Sequence, residues 1–482
     1  MPRPSFLARP PASETPASAM VFAAMGAVPK LVVMLVFLAL LALVAWPGSA
    51  SAQSAASRIV TIRDAETEHL VRRLVQPLLR TAGVDPGLVR TTLIQNRAIN
   101  AFVSTGNRLF IHTGLIQQST GALELVGVLA HETGHIAGGH LARLPEEMRN
   151  AMLRSIGAML LGGAAAAASG QSGALAAGML GGQASAMGEF YAFTRSQEQA
   201  ADQAGVNYLD RLGWSSRGLE RLLERLLDQE LLAVGRQDPY FRTHPLSRDR
   251  LDFIREHLAR SRFAEAPFPA DLEAAFAMVR AKLDGFIDSP LMTLRRYPES
   301  DTGAPARYAR AIAQFRSGRI APAVAMVDAL IAEQPHNPWL HELKGQILFE
   351  GHRLADSLAP YATAARLAPE EGLIRLSHAR VLMELGQPAQ LRQALSELDA
   401  AMRTERESAF LWRQMAVAHG RLGEMPMADL ALAEEAMLLG DALAARTLAA
   451  RAEAALPPGP MRLRASDLRN AAQPENLPPR RR

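Results

Sequence analysis

The segment Leu125–His140, LVGVLAHETGHIAGGH, constrains the fold more than any other. His131 and His135 stand four residues apart within it. On a helix this spacing separates them by about 40° in projection, so both imidazoles point at one place. Leu125, Val126, Val128 and Leu129 precede them and mark the helix as buried. Glu132 lies on the adjoining face.

Around this helix the 482 residues divide into blocks. With 49% hydrophobic and 21% charged residues the chain has material for real cores, which excludes global disorder. The absence of cysteine excludes disulfides and cysteine-ligated metals. A formal charge of +4, with no dense basic run before Arg480-Arg481-Arg482, argues against a nucleic-acid partner. Residues 1–52 read as a secretory signal: Lys30, the apolar run Leu31–Trp46, then Pro47-Gly48 and small residues ending at Ala52. The sixteen-residue run is short of the ~20 needed to span a bilayer, so cleavage after Ala52 is favoured over a retained anchor. A start at Met20 or Met25 would leave a tidier signal.

Residues 53–260 read as a mostly helical α+β domain. Ala65–Gly83 is helical in period, with Leu70, Val71, Leu74, Val75 and Leu78 on one face. Leu88–Ile94, Ala101–Ser104 and Arg108–His112 read as short strands, with Gly106-Asn107 closing a hairpin. Helical patterns follow at Gly121–Arg143, Gly188–Leu212 and Ser216–Ala233. Residues 261–305, punctuated by Pro267, Pro269, Pro290 and Pro298, read as a connector. From 306 to 460 a 34-residue period emerges, with Ala311, Gly345, Ala379 and Ala416 at one register position and Ala323 and Ala428 at another. Gly318, Gly386 and Gly423 mark turns between helices. This is the pattern of a tetratricopeptide-repeat solenoid, an all-α architecture, with Asp441–Ala455 as a capping helix. Residues 461–482 read as a flexible basic tail.

The histidine pair with Glu132 directly after the first of them is the HExxH arrangement, which binds zinc and supplies a general base. A catalytic zinc takes three protein ligands and keeps one open position. Two residues compete for the third place. His140, after Gly138, falls one residue short of an HExxHxxGxxH spacing and lies about 180° from His131 on a continuous helix, so it is read as structural or outer-sphere. Glu198 is preferred: it shares a helical face with Asp202, which can accept the free N–H of a ligand histidine, and Ala200 and Ala201 allow close helix approach.

These residues resemble the M48 family of zinc metalloproteases, whose pattern is HExxH followed by ExxAD. The resemblance extends to Asn100-Ala101-Phe102, Gly106, Thr113-Gly114-Leu115, Thr243-His244-Pro245 and Arg250, and covers about residues 58–460. It is similar to the members that pair a signal with one protease domain and carboxy-terminal repeats. It implies a zincin-like fold, one Zn2+ per chain held by His131, His135 and Glu198, Glu132 as catalytic base and Asp202 behind the ligands. It also implies active-site roles for His244 and Arg250, the Gram-negative periplasm, unfolded or misassembled protein clients, and the outer-membrane β-barrel assembly machinery as partner. The lack of cysteine departs from the family and leaves the repeats without a disulfide. His244 can stabilise an oxyanion or block the open zinc position, and the blocking role is favoured for the resting state.

Two further expectations concern access. In the architecture that the resemblance implies, strand Arg108–His112 should be an edge strand that pairs with the substrate backbone. The stretch 155–188, uncharged between Arg154 and Glu189, should form a flap that touches membrane peripherally or a packed helical hairpin. It should not cross the bilayer, because His131 and Glu198 must meet on one side.

Overall fold

Asp64 opens the first helix by accepting a hydrogen bond from the Thr67 N–H at 2.8 Å. Helix α1 then runs Ala65–Thr81 and buries the expected face of Leu70, Val71, Leu74, Val75 and Leu78. The structure is a computed structural model that describes residues 60–169, 172–227, 244 and 248–473. The expected signal at 1–52 and the end of the expected tail, 474–482, lie outside the described residues.

Strands β1 (Thr61–Ile62), β2 (Arg90–Ile94), β3 (Ala101–Ser104) and β4 (Arg108–His112) form a 4-stranded sheet in the order β1-β2-β4-β3. β2 and β4 run parallel; the other pairs are antiparallel. Gly106 (φ 80) and Asn107 (φ 55) both adopt the left-handed conformation that closes the β3–β4 hairpin. The order corrects one expectation. β4, residues Arg108–His112, is not an edge strand: its hairpin partner β3 lies on one side and β2 on the other. The outer strand beside it is β3.

Helices α2 (Thr113–Gln118), α3 (Ala122–Gly138), α4 (His140–Ser169), α5 (Ser172–Leu212), α6 (Arg217–Leu227) and α7 (Arg248–Arg260) follow. The expected Gly121–Arg143 pattern is two helices, because Gly139 (φ 61) stops α3. α3 is central: Leu125, Val126, Val128 and Leu129 are all fully buried, in one core with α1, the sheet, α6 and α7. The uncharged stretch 155–188 runs through α4 and α5, which pack on one another as a helical hairpin. Among the described residues no helix is long and apolar enough to cross a membrane.

The segment expected as a connector holds α8 (Ala270–Ile287) and α9 (Pro290–Arg296). Leu272, Phe276, Val279 and Leu283 of α8 enter the first core, while Met278 packs with Tyr308 in the next. Helices α10 (Ala304–Arg316), α11 (Ile320–Glu333), α12 (Pro338–Glu350), α13 (Leu354–Leu367), α14 (Gly372–Leu385) and α15 (Pro388–Glu405) then pack in succession. So do α16 (Ala409–Arg421), α17 (Met425–Leu438), α18 (Ala442–Ala455) and α19 (Pro460–Ala471), completing an all-α solenoid of helix pairs. The small residues sit where helices touch. Ala311, Ala323 and Ala379 are fully buried, and a Cβ on Gly345 would stand 2.7 Å from the Tyr361 ring. α19 falls where a flexible tail was expected, and its Ala465 and Leu468 are buried against Ala433 and Ala449.

Candidate metal centre

Two helices bring the charged residues together. A Cβ on Gly134 of α3 would stand 2.7 Å from the Ala201 carbonyl of α5, so only glycine permits this approach. Gly205, one turn on, lies against the backbone at His131. Of the two alanines expected to allow the contact, Ala201 is buried and Ala200 is exposed. Gly134 and Gly205 were not singled out from the sequence. Their signal was present, one three residues from each of His131 and Asp202 on the same helix.

The approach sets Glu198 between the histidines. Its Oε2 lies 3.4 Å from His131 Nε2 and its Oε1 lies 3.3 Å from His135 Nε2. The two histidine Nε2 atoms are 3.0 Å apart. His244 joins them, its Nδ1 lying 3.2 Å from His131 Nε2 and 3.3 Å from each Glu198 oxygen. The four ligand atoms of His131, His135, Glu198 and His244 all lie within 4.8 Å of one another. Around a tetrahedral zinc with bonds of about 2.0–2.1 Å, donors stand about 3.3–3.4 Å apart. The observed spacings and the N/O donor set fit that ion.

Behind the donors, the His131 Nδ1–H donates to Asp202 Oδ1 at 2.8 Å, which turns Nε2 toward the cluster. Arg250 of α7 closes the shell: Nε and Nη2 donate to Asp202 at 2.6 and 2.9 Å, and Nη1 lies 2.8 Å from Glu198 Oε2. Glu132 is fully buried, with Oε1 3.2 Å from His244 Nε2. His140 does not reach the cluster; its Nδ1 lies 2.9 Å from His135 Nδ1, on the far side of that ring.

Burial works against charge here, and the partners decide each outcome. Burial opposes a proton on His131, but the hydrogen bond and charge of Asp202, then Glu198, push it up to about 9. Burial takes His135 down to about 3 and also lowers His140. Glu198, despite burial, is held far below the usual carboxylate range by His131, His135 and His244. Asp202 is brought to about 2, burial being outweighed by Arg250 and His131. Burial raises Glu132, which suits a group that must accept a proton.

Residues 65–258 match Peptidase family M48. The Beta-barrel assembly-enhancing protease of Escherichia coli (strain K12) is 29% identical over 360 residues, covering 72% of this chain and 71% of that protein. The Yersinia pestis protein of the same name is 27% identical over 308 residues, 62% of this chain, and the match spans 61% of its length. Metalloprotease LoiP of Escherichia coli (strain K12) is 31% identical over 164 residues, 33% of this chain and 59% of that protein. The family match takes in α3, α5, His244 and Arg250 of α7, whose side chains build the four-donor cluster and its supports. This chain therefore carries, over residues 65–258, a zinc metalloendopeptidase domain of peptidase family M48.

Proposed function

We propose that the protein is an exported zinc endoprotease that hydrolyses peptide bonds of unfolded or misassembled envelope proteins. The observation that carries the reading is the buried donor cluster at tetrahedral spacing with Glu132 beside it. His131, His135 and Glu198 hold one Zn2+, which when bound supplies Lewis acidity toward the scissile carbonyl and lowers the pKa of water. Glu132 takes the proton of the attacking water and returns it to the leaving amine. Asp202 fixes the His131 tautomer, and Arg250 neutralises Asp202 and Glu198 together. An extended client lies along the outer edge of β3, next to α3, and is recognised through its main chain, so specificity is broad for unfolded segments.

The boundaries at 53–260 for the protease and 306–460 for the repeats belong to this proposal. The repeats dock clients or the outer-membrane β-barrel assembly machinery, in keeping with the names of the two assembly-enhancing relatives. Exposed Met148, Met152, Leu153 and Leu161 on α4 support peripheral membrane contact by the hairpin. Periplasmic residence follows from the export signal read in the sequence. A second reading, a chaperone or docking module with latent proteolysis, draws on His244, whose Nδ1 completes the donor set. Metal analysis and casein digestion of the purified chain test the ligand set. His131→Ala and Glu198→Ala should each lose zinc and activity, whereas a Glu198→Ala protein with parental zinc and turnover overturns it.

A further inference from the structure

The two ligand histidines of α3 are supported differently. His131 is backed by a carboxylate; His135 is backed by another imidazole. The Nδ1 atoms of His135 and His140 lie 2.9 Å apart, with ring centroids 4.9 Å apart and planes 82° from parallel. Two like nitrogens at this distance form a hydrogen bond only when one carries the proton and the other the lone pair. A His135 that offers its Nε2 lone pair to a cation has its proton on Nδ1. His140 Nδ1 is then the acceptor, and its own proton sits on Nε2.

We infer that His140 is a positioning residue that fixes the tautomer and ring plane of His135, and that Gly138-Gly139 is the seat that places it. The inference rests on the reading of His135 as a ligand. On an uninterrupted helix His140 would lie about 140° from His135, out of reach of its ring. Gly139 prevents that: at φ 61 it ends α3, its N–H bonding the His135 and Ile136 carbonyls, and α4 starts anew at His140. Gly138 leaves the space that the turned-back ring fills. A Cβ there would stand 2.4 Å from His140 Nε2 and 2.7 Å from Cδ2. The ring is consequently buried between Gly138 and His135 rather than in solvent. Three consecutive residues thus form one device, and each is explained by the same contact.

The test measures zinc affinity of the purified full chain by competition with a chromophoric chelator. His140→Leu should weaken zinc about 10–100-fold, the usual cost of losing such a partner. His140→Asn places an acceptor oxygen where Nδ1 stood and should recover most of that loss. Gly138→Ala keeps His140 but displaces its ring, and should weaken zinc as His140→Leu does. The melting temperature of the metal-free protein should be alike for the Leu and Asn variants, which separates orientation from packing. Parental zinc affinity in His140→Leu, or an Asn variant as weak as the Leu variant, overturns the inference. His135→Ala distinguishes the two layers. If it keeps parental affinity, the ligand reading fails; if it loses zinc while His140→Leu does not, only the positioning role fails.

Discussion

His244 faces two ways, and its two ring nitrogens define its options. Nδ1 points into the donor cluster and Nε2 stands 3.2 Å from the Glu132 carboxylate. On the latent-protease reading it fills the position that a substrate carbonyl or attacking water needs. His244→Ala should therefore raise basal cleavage of casein, with zinc retained. A fall of about a hundredfold or more would instead assign it to oxyanion stabilisation. Legibility at this scale followed spacing. His131, Glu132 and His135 were readable because a four-residue interval has one meaning on a helix, and Glu198 with Asp202 was readable for the same reason. His244 and Arg250 carry no local pattern and came into view only through the family resemblance. The Gly134–Ala201 contact needed two helices at once, which no single stretch of sequence encodes.

Among the elements, the sheet order has the largest consequence. Because β4 is flanked on both sides, the free edge beside the metal helix belongs to β3. Asn100 accepts from the His112 N–H, so alternation along the hairpin turns the main-chain groups of Ala101 and Val103 outward. Val103→Pro removes an outward N–H that the sheet does not use, and an edge strand tolerates this. It should keep zinc and fold while cutting cleavage of an unfolded chain about tenfold or more, the cost of a lost main-chain hydrogen bond in a desolvated site. Parental turnover would move the substrate off β3. Strand existence was legible from alternation, but strand order was not, because the parallel β2–β4 pairing skips over β3. The repeats were legible through their period. Gly318 and Gly386 hold left-handed turns 34 residues to either side of His352, which takes φ 60 at the equivalent place without being a glycine. The last helix was hidden by Pro457-Pro458-Gly459-Pro460, which reads as a terminus although Pro460 sits at the first turn of α19.

Across the whole molecule, the described residues from Val60 onward form one compact unit, and buried charge joins its two halves. Lys282 of α8 reaches Asp64 at 2.6 Å and both Glu66 and Glu342 at 3.4 Å, while the Tyr308 hydroxyl donates to Glu66 at 2.9 Å. Arg72 and His69 of α1 both bind Glu371 at the start of α14. The packing of the repeats on the domain that holds the metal centre is thus as specific as a core. Burial pushes the Glu66 carboxyl up from 4.5 to about 7, Lys282 opposing it. Between those values the folded chain holds a proton that the unfolded chain has released, so this group's contribution falls as pH rises through the window. Glu66→Gln cannot lose that proton. Its melting temperature relative to the parent should therefore rise by a few degrees between about pH 5 and about pH 8. A constant gap would show that Glu66 does not titrate there. The central claim, that this buried cluster is a zinc site with Glu132 as its base, is tested most directly by zinc content and casein cleavage measured together on the parent and Glu132→Gln. One zinc in each protein with cleavage in the parent alone is the predicted result; casein digestion by Glu132→Gln at the parental rate would contradict it.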